Sequence, residues 1–158
     1  MELTIEQVLH EGVAAHKEGR LQEAERLYRA ILKSQPMHSD ANHNLGVIAV
    51  AVNKADAALP LFKAALEANP NNEQFWLSYI NALIKNNKHD DARQVIEQAK
   101  RQGVNEEKTK VFEIQLTSQA EPNNSVGPSK QKLNSLLDHY QNERFSDAEK
   151  LAASITKE

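Results

Sequence analysis

No cysteine occurs in the 158 residues, so disulfide frameworks and thiolate metal sites are excluded, and the expected setting is a reducing compartment, the cytoplasm. There is no excess of positive charge. The 19 Lys and Arg are interleaved with 22 Asp and Glu, for a formal net charge of -3 and a pI near 6.1. Binding to nucleic acid or to an anionic membrane is driven by clustered cations, so neither partner is expected. Long apolar runs are missing as well. The opening stretch "MELTIEQVLHEG" breaks its apolar residues with Glu6, Gln7 and His10, which predicts neither a signal peptide nor a membrane span. No glycine-rich loop is present to cradle a phosphate.

What the chain does have is a period. Shifted against itself by 34 residues, the sequence superposes Gly12 on Gly46, Ala24 on Ala58 and Ala92, Tyr28 on Phe62 and Ile96, and Pro36 on Pro70. A period of that size marks stacked helical hairpins. Apolar residues recur at helical spacing within each unit, as in Trp76, Tyr79, Ile80 and Leu83 followed by Ala92, Val95, Ile96 and Ala99. Gly19, Asn53 and Asn87 fall between paired helices, where a left-handed residue can end the first helix and start the turn. Thr4 with Gln7 predicts a capping box, and Ser39 and Asn72 are the expected caps of the second and third units. Pro36 and Pro70 should stop the second helices. Pro60, inside a helical run, predicts a late helix start or a slight bend.

With these residues in register, the chain resembles the tetratricopeptide repeat family, through Leu45, Gly46, Ala58, Phe62, Ala65 and Pro70 in "HNLGVIAVAVNKADAALPLFKAALEANP". The first unit matches at Gly12, Gly19, Ala24, Tyr28 and Pro36, with Glu11 and Val8 replacing the usual Leu and Trp. The third matches at Trp76, Tyr79, Ala92 and Ala99, with Ile80 and Val104 replacing the usual Gly and Pro. The resemblance implies an all-α fold of helical hairpins stacked into a right-handed superhelix. Hairpins are expected over 5–38, 39–72 and 73–106, with a capping helix over 107–119. "AEPNNSVGPS" then gives a linker over 121–129, and 130–158 returns to a hairpin pattern that stops short, as a cut array would.

Catalytic and metal constellations are weak. His38, Asp40 and His43 lie close in sequence but need not converge, and Asp138 and His139 lack a nucleophile on a strained elbow. No metal, cofactor or catalytic residue is therefore expected. The resemblance points to surface recognition, with a partner peptide or helix in a concave groove lined by the first helices of successive hairpins. The groove residues expected here are Leu9, Val13, His16, His43, Asn44, Val47, Val50, Leu77, Ser78, Asn81 and Ile84. The family's carboxylate clamp would use Leu9, Val13, Asn44, Gln74 and Ser78, of which Asn44 alone is suitable, so an acidic chain terminus is not the expected ligand. The leading expectation is a non-catalytic protein-interaction scaffold. Its alternatives are the recognition arm of a larger transferase, of the O-GlcNAc-transferase or sulfotransferase type, and a module that self-associates as a homodimer through its C-terminal hairpin.

Overall fold

The computed structural model describes residues 2–120. The expected linker over 121–129 and hairpin over 130–158 lie outside the described residues. Among the described residues there are seven α-helices and no strand: α1 (Ile5–Lys17), α2 (Leu21–Ser34), α3 (Ser39–Ala51), α4 (Ala55–Ala68), α5 (Glu73–Lys85), α6 (His89–Arg101) and α7 (Glu106–Ala120). Met1–Thr117 forms one compact unit. It is a helical-repeat solenoid in which each helix from α1 to α5 packs on the next, and α3 also touches α5.

Each hairpin is turned by the same local chemistry. Gly19, Asn53 and Asn87 have φ of 75°, 60° and 56°, and the residue after each sends its N–H back to the last turn of the preceding helix. These bonds are Arg20 to Ala15, Lys54 to Ala49 and Lys88 to Leu83, at 2.9, 2.8 and 2.9 Å. Carbonyls that the helix end would leave unpaired are thereby satisfied. Thr4 and Gln7 form the expected capping box, and Asn72 accepts from the Gln74 N–H at 3.0 Å. The cap of α3 differs from expectation. His38, not Ser39, occupies it, with Nδ1 accepting from the Ala41 N–H at 3.3 Å, and Ser39 is already helical.

Pro60 does not delay its helix. α4 starts at Ala55 and runs through Pro60 to Ala68. Both Pro60 and Asp56 are exposed, so the Asp56 carbonyl that loses its helical donor can be satisfied by water.

In the first two hairpins a ring from the second helix packs over a glycine of the first. A Cβ on Gly12 would lie 2.7 Å from Tyr28 Cε1, and one on Gly46 would lie 2.7 Å from Phe62 Cε1. The ring therefore occupies the space that the glycine leaves. In the third hairpin two medium residues, Ile80 and Ile96, are buried at the register positions of the glycine and the ring. A second repeated device ties the second and third hairpins to the proline before each. Asn42 Nδ2 donates to the Pro36 carbonyl at 2.9 Å, and 34 residues later Trp76 Nε1 donates to the Pro70 carbonyl at 2.7 Å. Different side chains do the same work at one repeat position.

Beyond the third hairpin, α7 buries Phe112 and Leu116 and is held by charge. Lys108 Nζ lies 2.5 Å from Glu73 Oε2 at the start of α5, and Lys100 Nζ on α6 lies 2.5 Å from Glu113 Oε1. The Asn105 N–H adds a bond to Glu73 Oε1 at 3.0 Å.

Candidate functional site: the face of the first helices

The 34-residue register sets the first helices side by side and sorts their residues into rows. Glu6, Asp40, Gln74 and Lys108 form the row nearest the helix N-termini. Leu9, His43, Leu77 and Val111 form the second, then Val13, Val47, Asn81 and Gln115, and then His16, Val50 and Ile84. Within a helix the steps are three or four residues, so each set shares one face.

Burial divides this face. Leu77 and Ile84 are 1% and 4% exposed and His43 is 8% exposed, so α5 offers no accessible apolar lining at these register positions. Leu9, Val13, His16, Asn44, Val47, Val50, Ser78 and Asn81 are half-buried. Leu9 and Val13 pack on the core of the first hairpin, and Val47 and Val50 pack on Ala58, Phe62 and Ala82. The accessible lining is therefore concentrated on α1 and α3.

At the centre is a polar cluster that joins the second hairpin to the third. The His43 ring stacks on Phe75 at 4.7 Å and lies tilted against Phe62 at 5.6 Å. Its Nε2 is 2.9 Å from Ser78 Oγ and its Nδ1 is 3.3 Å from Asn44 Oδ1. Gln74 Nε2 donates to the same Ser78 oxygen at 3.3 Å. One arrangement satisfies every atom: Nδ1–H donates to Asn44, Nε2 accepts from the Ser78 hydroxyl, and Ser78 accepts from Gln74. Burial holds the imidazole neutral and lowers its pKa to about 4, aided by nearby His16 and opposed by the Asn44 hydrogen bond. His16 sits edge-on to Tyr28 at 6.3 Å, and burial lowers its pKa too.

The Tyr28 hydroxyl is buried and meets no acceptor at good hydrogen-bond geometry. Burial raises its pKa, and the Asn44 side chain is near enough to oppose that shift in part.

A serine hydroxyl 2.9 Å from an imidazole has the spacing of a nucleophile and its base. Ser78 lies in the interior of α5, however, where backbone N–H groups are spent on helical bonds and none converge on an oxyanion. Among the described residues no group of three or more His, Asp or Glu could hold a metal ion, and no helix is long and apolar enough to cross a membrane. His38 is engaged as a cap and His43 is stacked between rings.

A unit of 34 residues, a helical hairpin per unit and a left-handed turn at each hairpin define a helical-repeat protein. Two family models, both described as tetratricopeptide repeat, match residues 9–72 and 49–108, and the chain belongs to that family. Solved structures agree on the fold. The MamA MSR-1 structure is 27% identical, covering 74% of this chain and 67% of that one with a TM-score of 0.65. The TPR2B domain of yeast Sti1, in a complex with pHsp70, is 16% identical over 73% of this chain and 97% of that one, with a TM-score of 0.67. The first TPR of Spaghetti (RPAP3), bound to the HSP90 peptide SRMEEVD, is 15% identical over 72% and 90%, with a TM-score of 0.66. No curated protein matches the chain.

Proposed function

We propose that the protein is a non-catalytic, cytoplasmic interaction scaffold that holds a peptide or helix of a partner protein on the face formed by α1, α3 and α5. The observation that carries this reading is the half-buried lining itself. Leu9, Val13, Val47 and Val50 recur in register on two adjacent helices and remain partly open to solvent. A row of such residues beside the half-buried amide of Asn81 suits an extended or helical segment. Two similarly folded proteins carry peptide or protein ligands in their structures. The HSP90 peptide SRMEEVD is acidic, whereas Leu9, Val13, Asn44, Gln74 and Ser78 offer an acidic terminus no cation. An Asn44→Ala, Val47→Ala double variant, retaining its helicity by circular dichroism, should lose proteins that the immobilised wild-type chain retains. Unchanged retention, with loss on changing Arg29 and Lys63 on the second helices, would place binding elsewhere.

Self-association is a second reading, favoured by Ile114. It is 46% exposed and stands in register with Gly12, Gly46 and Ile80, where each earlier hairpin receives its own second helix. A second copy covering that face would form a homodimer. Light scattering over a concentration series should then show a dimer that Ile114→Asp disperses; a wild-type chain that stays monomeric throughout rules this out.

A further inference from the structure

The occupant of the α1–α3 half of the groove can be specified further, on the proposal that this face binds a partner segment. Apolar lining is one element: Leu9 and Val13 on α1, with Val47 and Val50 on α3, all half-buried. The second is charge along the rim. Glu6 and Asp40 occupy equivalent first-turn positions of α1 and α3, and both are exposed. No cation among the described residues forms a salt bridge with either one. Favourable interaction with the helix dipole accounts for an acid in a first turn, but it does not neutralise that acid toward a ligand.

Cations elsewhere on the face do not cancel the pair. Lys108, in the same row, is committed to Glu73 at 2.5 Å. Lys17 lies at the opposite end of α1, three turns from Glu6. Burial disfavours the charged form of the His16 and His43 imidazoles, and exposed His10, one turn from Glu6, forms no salt bridge with it. The open half of the groove is thus an apolar strip with a negative border on one side.

We infer that this half of the groove takes a segment whose apolar side chains are flanked by Lys or Arg, with the basic residues set against Glu6 and Asp40. Such a ligand buries its apolar face on the valines and places its cations at an exposed rim, where charge mainly governs selectivity and association rate. It is opposite in sign to the acidic peptide seen on the similarly folded RPAP3 repeat.

Two synthetic amphipathic peptides with the same leucine stripe, one flanked by lysines and one by glutamates, provide the test, with binding to the full chain read by fluorescence anisotropy. The lysine peptide should bind at least about 10-fold more tightly at low salt, and the ratio should shrink as salt screens the rim. Glu6→Lys with Asp40→Lys should reverse the preference. Because reversed charge at a helix start can loosen the helix, Glu6→Gln with Asp40→Asn is the companion variant, and it should bring the two peptides level. Equal binding of both peptides to the wild-type chain overturns the charge inference and leaves the groove reading standing. Binding of neither peptide overturns both. A wild-type preference that survives both double variants also overturns the inference, since other groups would then be selecting the ligand.

Discussion

The second and third hairpins share a register and differ in how they fill it. In the second, Gly46 vanishes beneath the Phe62 ring, and Asn42 reaches the carbonyl of Pro36. In the third, Ile80 and Ile96 share the volume, and Trp76 makes the equivalent bond to Pro70. The backbone plan is therefore fixed by turn geometry and helix spacing, whereas the side chains need only conserve volume and satisfy one carbonyl. Between these hairpins lies the His43–Ser78 hydrogen bond, which has no counterpart in register, because Leu9 and Leu77 hold the positions equivalent to His43.

Three experiments would break or sharpen this comparison. The largest effect is expected at the shared hydrogen-bonding position. Trp76→Ala should cost about 3–5 kcal/mol, the range for a buried aromatic, while Asn42→Ala should cost about 1–2 kcal/mol for lost hydrogen bonds and an unpaired carbonyl. Urea titrations giving equal losses would mean that the two side chains carry the same packing load, contrary to their size. Next is the link between the hairpins. The folded-state pKa of His43, about 4, lies below its ordinary value of 6.5, so between these values the unfolded chain binds more protons. Stability should fall as pH drops from 6.5 toward 4, by roughly 3 kcal/mol from this group, and level off below. His16 acts in the same direction. His43→Phe should flatten most of the slope in unfolding titrations at pH 7 and pH 4.5; an unchanged slope would assign the titration to other groups. The smallest effect is a change of sign. Gly46→Ala should destabilise the chain by about 1 kcal/mol, as the clash with Phe62 exceeds the gain in helix propensity. In a Phe62→Ile background, which imitates the third hairpin, the same change should be neutral or stabilising. A double-mutant cycle with no coupling would show that the ring and the glycine do not share volume.

Most of the fold is local, which is why it can be read from residue spacing. Thr4, Gln7 and Asn72 are caps by chemistry, and Gly19, Asn53 and Asn87 are turn residues because few others tolerate positive φ. His38 was not legible as a cap because its ring is an uncommon acceptor there, and Ser39 beside it is the commoner choice. Pro60 promised more disturbance than it causes, since the helix loses its hydrogen bond on a wet face. The shared face of the first helices was legible as a set of positions, but its burial was not. Closure of Leu77 and Ile84 depends on three-dimensional packing, and the His43–Ser78 bond spans 35 residues. Asn42 stands in register with Trp76, and its hydrogen bond to the Pro36 carbonyl shows the position filled by a different donor, which residue type alone does not reveal.

The order of contacts also bears on how the chain is made. The principal helix contacts join neighbours in sequence, with α3 to α5 the longest step. The first core gathers Ala15, Ala24, Tyr28, Ile31, Ala41, Leu45 and Ile48, all of them on α1, α2 or α3. Leu61 on α4 packs against them as well, so the first core is completed by the fourth helix and by nothing later. During synthesis, at about 5–20 residues per second, the first four helices can close this core while later ones are still inside the ribosome. Each new hairpin then meets a folded template, so the nascent chain exposes one unfinished apolar edge at a time instead of a whole unassembled core.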